Sequence, residues 1–232
     1  MTDFPTLVLL CKRPALGFGK QRLASKLGVD VAKLVAEALL ACALEDACNW
    51  PGPVVIAPAS LDDYDWAVTL SLSIPLPVMI LPQVSGNLGQ RLNVLDSVLR
   101  SKGMNQLVFI GSDSPGLAQT DYVAVRNALQ CDDTVLKPAL DGGVVLMASN
   151  CPWPDLTDLP WSSSSLGEAL ASSCQEAGQS VATLNEGFDV DEPEDLIKLI
   201  SVLSNEQRPA RRAFHTLICD VIQIKETKHA EC

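Results

Sequence analysis

The chain has 232 residues, 28 acidic against 17 basic side chains for a formal net charge of -11, and 47% hydrophobic against 19% charged residues. That balance describes an ordinary folded protein with one generous domain, and its sign argues against a nucleic-acid partner, which needs a basic face. Glu37, Glu45 and Asp46 interrupt the longest apolar candidate for a membrane span, and Asp3 precedes the short run Thr6–Cys11 with cations after it, the reverse of a signal peptide; the chain reads as cytoplasmic.

In chain order, "TLVLLC" (6–11) predicts a strand buried on both faces of a parallel sheet. It runs straight into "KRPALGFGKQRL" (12–23), a cationic, glycine-bearing loop without an acid. Val31, Leu34, Val35, Ala38, Leu39 and Cys42 then recur at helical spacing over about 30–48. "PVVIAP" (53–58) is the next strand, with a short helix near 61–69. "PVMIL" (77–81) follows as a strand, and Leu88, Leu92, Leu95 and Leu99 mark a helix behind it. "QLVFIG" (106–111) is a strand ending in "SDSP", with a helix from about 119 to 130. Downstream, "TVLKPA" (134–139) and "GVVLMA" (143–148) are strands separated by "LDGG", and Leu166 to Ala177 is helical. "SVATL" (180–184) adds a strand and "EPEDLIKLISVL" (192–203) a helix with acids in its first turn, where the helix dipole favours them. This alternation implies one α/β domain over 1–205, a mostly parallel sheet with helices on both faces. Residues 206–232 differ in character and suggest only an element at 215–224, so they are set apart as a C-terminal extension.

Ligands of open α/β sheets bind beyond the C-terminal ends of the strands, which is where the cationic loop falls. Residues 1–33 carry six cations against Asp3 and Asp30, while the other 199 residues carry 11 cations against 26 acids. Gly17 and Gly19 let backbone N–H groups approach a ligand, and Lys20 and Arg22 supply charge suited to phosphate. The alternative is a solvated loop with incidental cations. A Walker A loop is excluded because Pro14 stands at its first glycine and Gln21 at its hydroxyl position. A dinucleotide fingerprint is excluded because Arg22 stands at its third glycine.

Four aspartates are expected on the same edge: Asp113 in "GSDSPGL", Asp141 in "LDGG", and Asp189 and Asp191 in "FDVDEPEDL". Each alone is equally well a turn former or helix cap. Together they are expected to be protonated or to hold a cation, since two carboxylates ~4 Å apart at an effective dielectric of ~20 repel by about 4 kcal/mol. Magnesium or manganese suits an all-oxygen set. "PQVSGNLGQRL" (82–92) also leaves a strand: Gly86 and Gly89 loosen the turn, Gln83 and Asn87 are candidates to read a base or sugar, and Arg91 is either a phosphate ligand or a surface cation. Eight cysteines without a C-x-x-C predict mainly buried free thiols, and two histidines near the C-terminus leave little material for a zinc site or a serine-histidine triad.

In order, K-R-P-x-x-G-x-x-K-x-R-L, P-Q-x-x-G-x-L-G-x-R-L, G-S-D-S-P-x-L, D-G-G, W-S-S and D-V-D-x-x-E-D-L resemble a bacterial family of GT-A-type glycosyltransferase-like proteins, often labelled arsenosugar biosynthesis glycosyltransferases. The resemblance covers about residues 5–204. It implies a single Rossmann-like nucleotide-diphospho-sugar transferase domain, related to molybdenum cofactor and phospholactate guanylyltransferases. It also implies nucleotide contacts from Lys12, Gly17, Lys20 and Arg22, and a metal on Asp113. The chain departs from the family at Gln21, where Thr is common, and at Val144 and Val145, where aromatic residues are common.

The resulting expectation is a metal-dependent glycosyltransferase that takes a nucleotide-diphosphate sugar and a small-molecule acceptor. Lys20 and Arg22 offset the diphosphate charge, Asp113 with Asp189 or Asp191 holds Mg2+ or Mn2+, and Asp141 contacts or deprotonates the acceptor hydroxyl. One alternative is a nucleotidyltransferase acting on a nucleoside triphosphate and a phosphorylated small molecule, although the "L-A-G-G" opening of many such enzymes is missing. Another is a nucleotide-binding protein without catalysis.

Overall fold

The computed structural model describes residues 4–230. In its first strand, β1 (Thr6–Cys11), Leu7, Leu9 and Cys11 enter one core while Val8 and Leu10 enter the opposite one. A strand that is apolar on both faces has to lie inside a covered sheet, and the period of two divides its side chains between the two covers. β2 (Val54–Pro58) and β4 (Leu107–Gly111) repeat the division and flank β1 in parallel, Leu7 lying beside Val54 and Val108.

With β3 (Val78–Ile80), β5 (Thr134–Pro138), β6 (Val144–Ser149) and β7 (Val181–Thr183), the sheet order is β3-β2-β1-β4-β6-β5-β7. β6 alone runs against the others, pairing antiparallel with β4 and β5. The cause is local. Only residues 139–143 join β5 to β6, too few for the crossover that a parallel pair requires, and they close a turn in which Gly142 donates to the Ala139 carbonyl at 2.9 Å.

α2 (Val29–Asn49), α3 (Tyr64–Ser71) and α5 (Gln119–Ala128) cover one face, and α4 (Leu88–Ser101) and α6 (Leu166–Glu176) the other. The architecture is therefore the mostly parallel α/β sheet that the alternation predicts. A third apolar cluster lies outside α2, where Leu23 of α1 (Gln21–Leu27), Leu196 and Leu199 of α7 (Pro193–Leu203), and Phe214 and Ile218 of α8 (Pro209–Ala230) meet Val35 and Leu39. α1 occupies part of the stretch read as loop, and α8 runs well beyond the 215–224 element. Among the described residues no helix is long and apolar enough to cross a membrane. The seven described cysteines are free; Cys11, Cys42 and Cys174 are buried, whereas Cys131 is exposed.

The start of α8 is held by Arg211, which is fully buried. Its Nε donates to the Pro115 carbonyl at 2.8 Å, Nη1 to the Cys42 carbonyl at 3.1 Å and Glu45 at 3.0 Å, and Nη2 to Asp46 at 2.7 Å and the Leu117 carbonyl at 3.1 Å. A guanidinium carries five N–H bonds, and each has an acceptor here. Arg208 adds bonds to Asp46 at 2.9 Å and Leu117 at 3.0 Å, and the Tyr122 hydroxyl donates to Asp46 at 2.9 Å. Removing one member of such a group strands buried charge. Arg211→Met is expected to lower stability by about 3–5 kcal/mol in urea unfolding, and adding Asp46→Asn to recover part of the loss. A loss under about 1 kcal/mol, the value of an exposed pair, would show that the fork does not hold the helix.

Candidate functional site

The direction of the strands decides where the sequence motifs meet. β1 to β5 and β7 finish at one edge of the sheet and β6 begins there, so segments 12–20, 81–87, 112–118, 139–143 and 184–192 all emerge on it. This is the edge on which α/β sheets carry their ligands.

Lys20 is its centre. The residue stands just before α1 with φ of +44°, following Gly17 at +75° and Gly19 at +71°. A left-handed lysine costs of order 1–3 kcal/mol and persists only where its surroundings hold it. Here the ammonium donates to the Val190 carbonyl at 2.6 Å and to Asp191 Oδ1 at 2.9 Å, and pairs with Asp113 Oδ1 at 3.1 Å. Burial works against its charge, but the two carboxylates outweigh burial and raise its pKa. The Lys20 side chain is 9% exposed, whereas those of Asp113 and Asp191 are 48% and 46% exposed, so the acids face solvent on the side away from the lysine. A bond from Val190 N–H to the Asp113 carbonyl at 2.9 Å ties the two acidic segments together.

Asp189 and Asp141 complete the set. The Asp189 carboxyl is pushed up to about 6, chiefly by burial and then by the charges of Asp141 and Asp191. Asp141 Oδ1 accepts the Gly143 N–H at 2.9 Å, closing a small turn. Gly142 has φ of +88°, and a Cβ there would come within 1.9 Å of the Ser164 carbonyl, so the 162–165 serines press on the turn through backbone. Gly167 N–H donates to the Gly142 carbonyl at 2.9 Å, pinning α6 to the same place.

As donors, these carboxylates fit a hard divalent ion. Asp113 and Asp191 aim at one point, and the cation at that point is the Lys20 ammonium. Among the described residues, no group of three or more His, Cys, Asp or Glu side chains is gathered closely enough to cage a metal.

The other expected contacts are distributed differently. Arg22 is exposed and lies 3.6 Å from Glu192, while Lys26 reaches Glu192 at 3.3 Å and Glu194 at 3.5 Å, linking α1 to the start of α7. Lys12 is exposed where the chain leaves β1. Gln83 is buried, its Nε2 donates to the Ala57 carbonyl at 2.7 Å and its Oε1 accepts from Arg91 at 3.4 Å. Arg91 also donates to the Gly86 carbonyl at 2.9 Å, so both side chains brace the turn before α4. Gly89 is a packing residue, since a Cβ there would come within 2.0 Å of the Leu156 carbonyl. Asn87 caps α4 by accepting from Gln90 N–H at 3.0 Å. The Val190 carbonyl, a central acceptor, left no sequence signal because it is backbone. A cleft of about 740 Å³ on the outer side of residues 13–16, lined by Arg13, Leu16, Lys33, Leu40 and Trp66 among others, includes none of the aspartates.

Residues 39–163 match a family model described as "Uncharacterized protein conserved in bacteria (DUF2064)". No curated protein sequence matches the chain. The structure is similar to that of a "putative nucleotide-diphospho-sugar transferase" from Desulfovibrio desulfuricans G20, at TM-score 0.79 and 23% identity over 93% of this chain and 97% of that one. It is more distantly similar to 4-diphosphocytidyl-2C-methyl-D-erythritol synthase from Anaerococcus prevotii DSM 20548, at TM-score 0.53 and 10% identity over 84% of this chain and 96% of that one. A cytidylyltransferase from Leptospira borgpetersenii serovar Hardjo-bovis gives TM-score 0.52 and 10% identity over 98% and 96%. At these identities the likeness establishes the fold alone, a Rossmann-like α/β domain.

Asp189 makes stability depend on pH. Between its unfolded value near 3.8 and its folded value of about 6, the native chain keeps a proton that the unfolded chain has lost. Stability from this group therefore falls as pH rises through that window. Asp189→Asn is expected to flatten melting temperature against pH between about 4 and 6; an unchanged slope would mean that the carboxyl titrates normally.

Proposed function

The chain belongs to the bacterial DUF2064 family, and from that premise we propose that it is a transferase that binds a nucleotide through its diphosphate at the Lys20 edge and passes the sugar of a nucleotide-diphosphate sugar to a small-molecule acceptor. One observation carries this reading: a buried ammonium from the first loop and two half-exposed carboxylates from the segments that follow β4 and β7 converge on the ligand edge of the sheet. The likeness to a nucleotide-diphospho-sugar transferase structure supports it.

In this reading, Lys20 meets the diphosphate, with Lys12, Arg22 and the N–H groups about Gly17 and Gly19 at its margin. Negative charge grows on the departing nucleoside diphosphate in the transition state, and cations fixed before the reaction offset it without reorganisation. Asp113 and Asp191, with Asp189 beside them, would hold Mg2+ or Mn2+. When bound, such an ion supplies Lewis-acid stabilisation of the leaving diphosphate. Asp141 is the residue for the acceptor. Its Oδ1 is tied to Gly143 N–H, which orients the carboxylate and leaves Oδ2 to accept the acceptor's hydroxyl proton.

A second reading uses the same residues on a different bond. A phosphorylated small molecule attacks the α-phosphate of a nucleoside triphosphate and pyrophosphate leaves; the likeness to two cytidylyl-transfer folds favours it. Product analysis separates the two, since sugar transfer releases a nucleoside diphosphate and nucleotidyl transfer releases pyrophosphate.

Binding is tested by melting the protein with UDP, GDP or CDP, with and without Mn2+. A ligand at 100 times its Kd stabilises the native state by about 2.7 kcal/mol. Asp113→Asn is expected to lose the Mn2+-dependent part of the shift, measured from its own unliganded melting temperature. If it shifts like the unsubstituted protein, Asp113 is not a metal ligand.

A further inference from the structure

We propose that Lys20 is the resident counter-cation of the Asp113–Asp191 pair and surrenders that place to a divalent ion only when a diphosphate arrives to receive its ammonium. Metal and nucleotide then load as a coupled pair. The inference rests on the transferase reading above and adds its order of assembly.

Lys20 Nζ stands 3.1 Å from Asp113 Oδ1 and 2.9 Å from Asp191 Oδ1, at the point on which both carboxylates converge. A magnesium ion needs its oxygens at about 2.0–2.1 Å and usually keeps several waters. An ammonium and a hydrated divalent ion cannot share that point: the volume is already filled and the like charges repel. The metal can use the two Oδ1 atoms together only after the lysine leaves.

Leaving is unfavourable alone. The lysine loses two carboxylates and the Val190 carbonyl bond at 2.6 Å, and among the described residues no other acid pairs with it. The backbone, held left-handed at φ +44°, fixes where the side chain starts, so Nζ moves by rotation of its own stem. A diphosphate beside the loop offers the displaced ammonium new oxygens, and the metal offers the abandoned carboxylates a new cation. Each ligand removes the cost that opposes the other. Coupling of this kind is reciprocal: the nucleotide tightens the metal by the factor by which the metal tightens the nucleotide. Exposure of the two acids at 48% and 46% leaves the outer approach open to the incoming ion.

The test is Mn2+ binding followed by electron paramagnetic resonance of the free ion, with and without whichever of UDP, GDP or CDP stabilises the protein. The unsubstituted protein is expected to bind Mn2+ at least tenfold more tightly when the nucleotide is present. Lys20→Met, which keeps an unbranched stem one atom shorter and loses the charge, is expected to bind Mn2+ alone at least tenfold more tightly than the unsubstituted protein, with a smaller gain on adding nucleotide. Lys20→Arg, which keeps the charge, should retain the weak binding of the free protein. Equal Mn2+ affinity in Lys20→Met and the unsubstituted protein, with nucleotide still binding, overturns the counter-cation proposal and leaves the transferase reading intact. Absence of nucleotide-dependent Mn2+ binding in the unsubstituted protein overturns both. Circular dichroism on each variant confirms that the comparison is between folded proteins.

Discussion

The geometry of the acidic edge depends on a guanidinium that lies outside it. Segment 112–118 leaves β4 through "SDSPGL", a stretch whose proline and glycine form no ladder of their own, so its inner carbonyls need donors from elsewhere. Arg211 supplies them, bonding the Pro115 and Leu117 carbonyls, two and four residues beyond Asp113, while its remaining N–H groups hold α2 at Cys42, Glu45 and Asp46. The position of Asp113 is thus set from beneath by α8 and from the side by Val190 N–H. α8 and α7 pack on each other and on α2 through the cluster of Leu199, Phe214 and Ile218, so the helix is part of the platform for the site.

That dependence explains which parts of the molecule were legible. Strands such as 6–11 and 107–111 were plain because burial on both faces demands an unbroken apolar run. α2, α4 and α7 were plain because their apolar residues recur on one side. α1 has seven residues and one buried side chain, Leu23, too little to register a period. α8 hid for another reason: the largest of its fully buried anchors is an arginine, which reads as a solvent-facing residue until Glu45 and Asp46 are brought to it across the fold.

The same distinction runs through the site. Asp113, Asp141, Asp189 and Asp191 could be placed on one edge because each follows or precedes a strand whose direction the alternation of elements implies. The backbone partners of Gln83 and Arg91, the carbonyls of Ala57 and Gly86, could not be read, since a backbone acceptor leaves no mark in the sequence. Gly89 looked like a loose turn glycine because nothing local reveals the Leu156 carbonyl packed against it. Lys20 was legible as a cation at the edge, but the partner it holds in the free protein, a pair of acids from 93 and 171 residues away, emerges only from the topology.

The charge asymmetry of the chain then takes on a specific meaning. The amino-terminal cations do not form a bare positive surface: Lys20 pairs with Asp113 and Asp191, and Arg22 and Lys26 pair with Glu192 and Glu194. The outer pairs are exposed and worth ~1 kcal/mol or less, so an anion displaces them easily. The inner pair is shielded and costs more to open, and opening it releases two carboxylates as well as one ammonium. A lone anion satisfies only the ammonium, and a lone metal ion only the carboxylates. A metal-diphosphate carries both signs in one ligand and leaves no charge behind unpaired. In the proposed reading the edge therefore favours a compound of mixed charge over a simple anion, in a protein whose net charge repels anions in general.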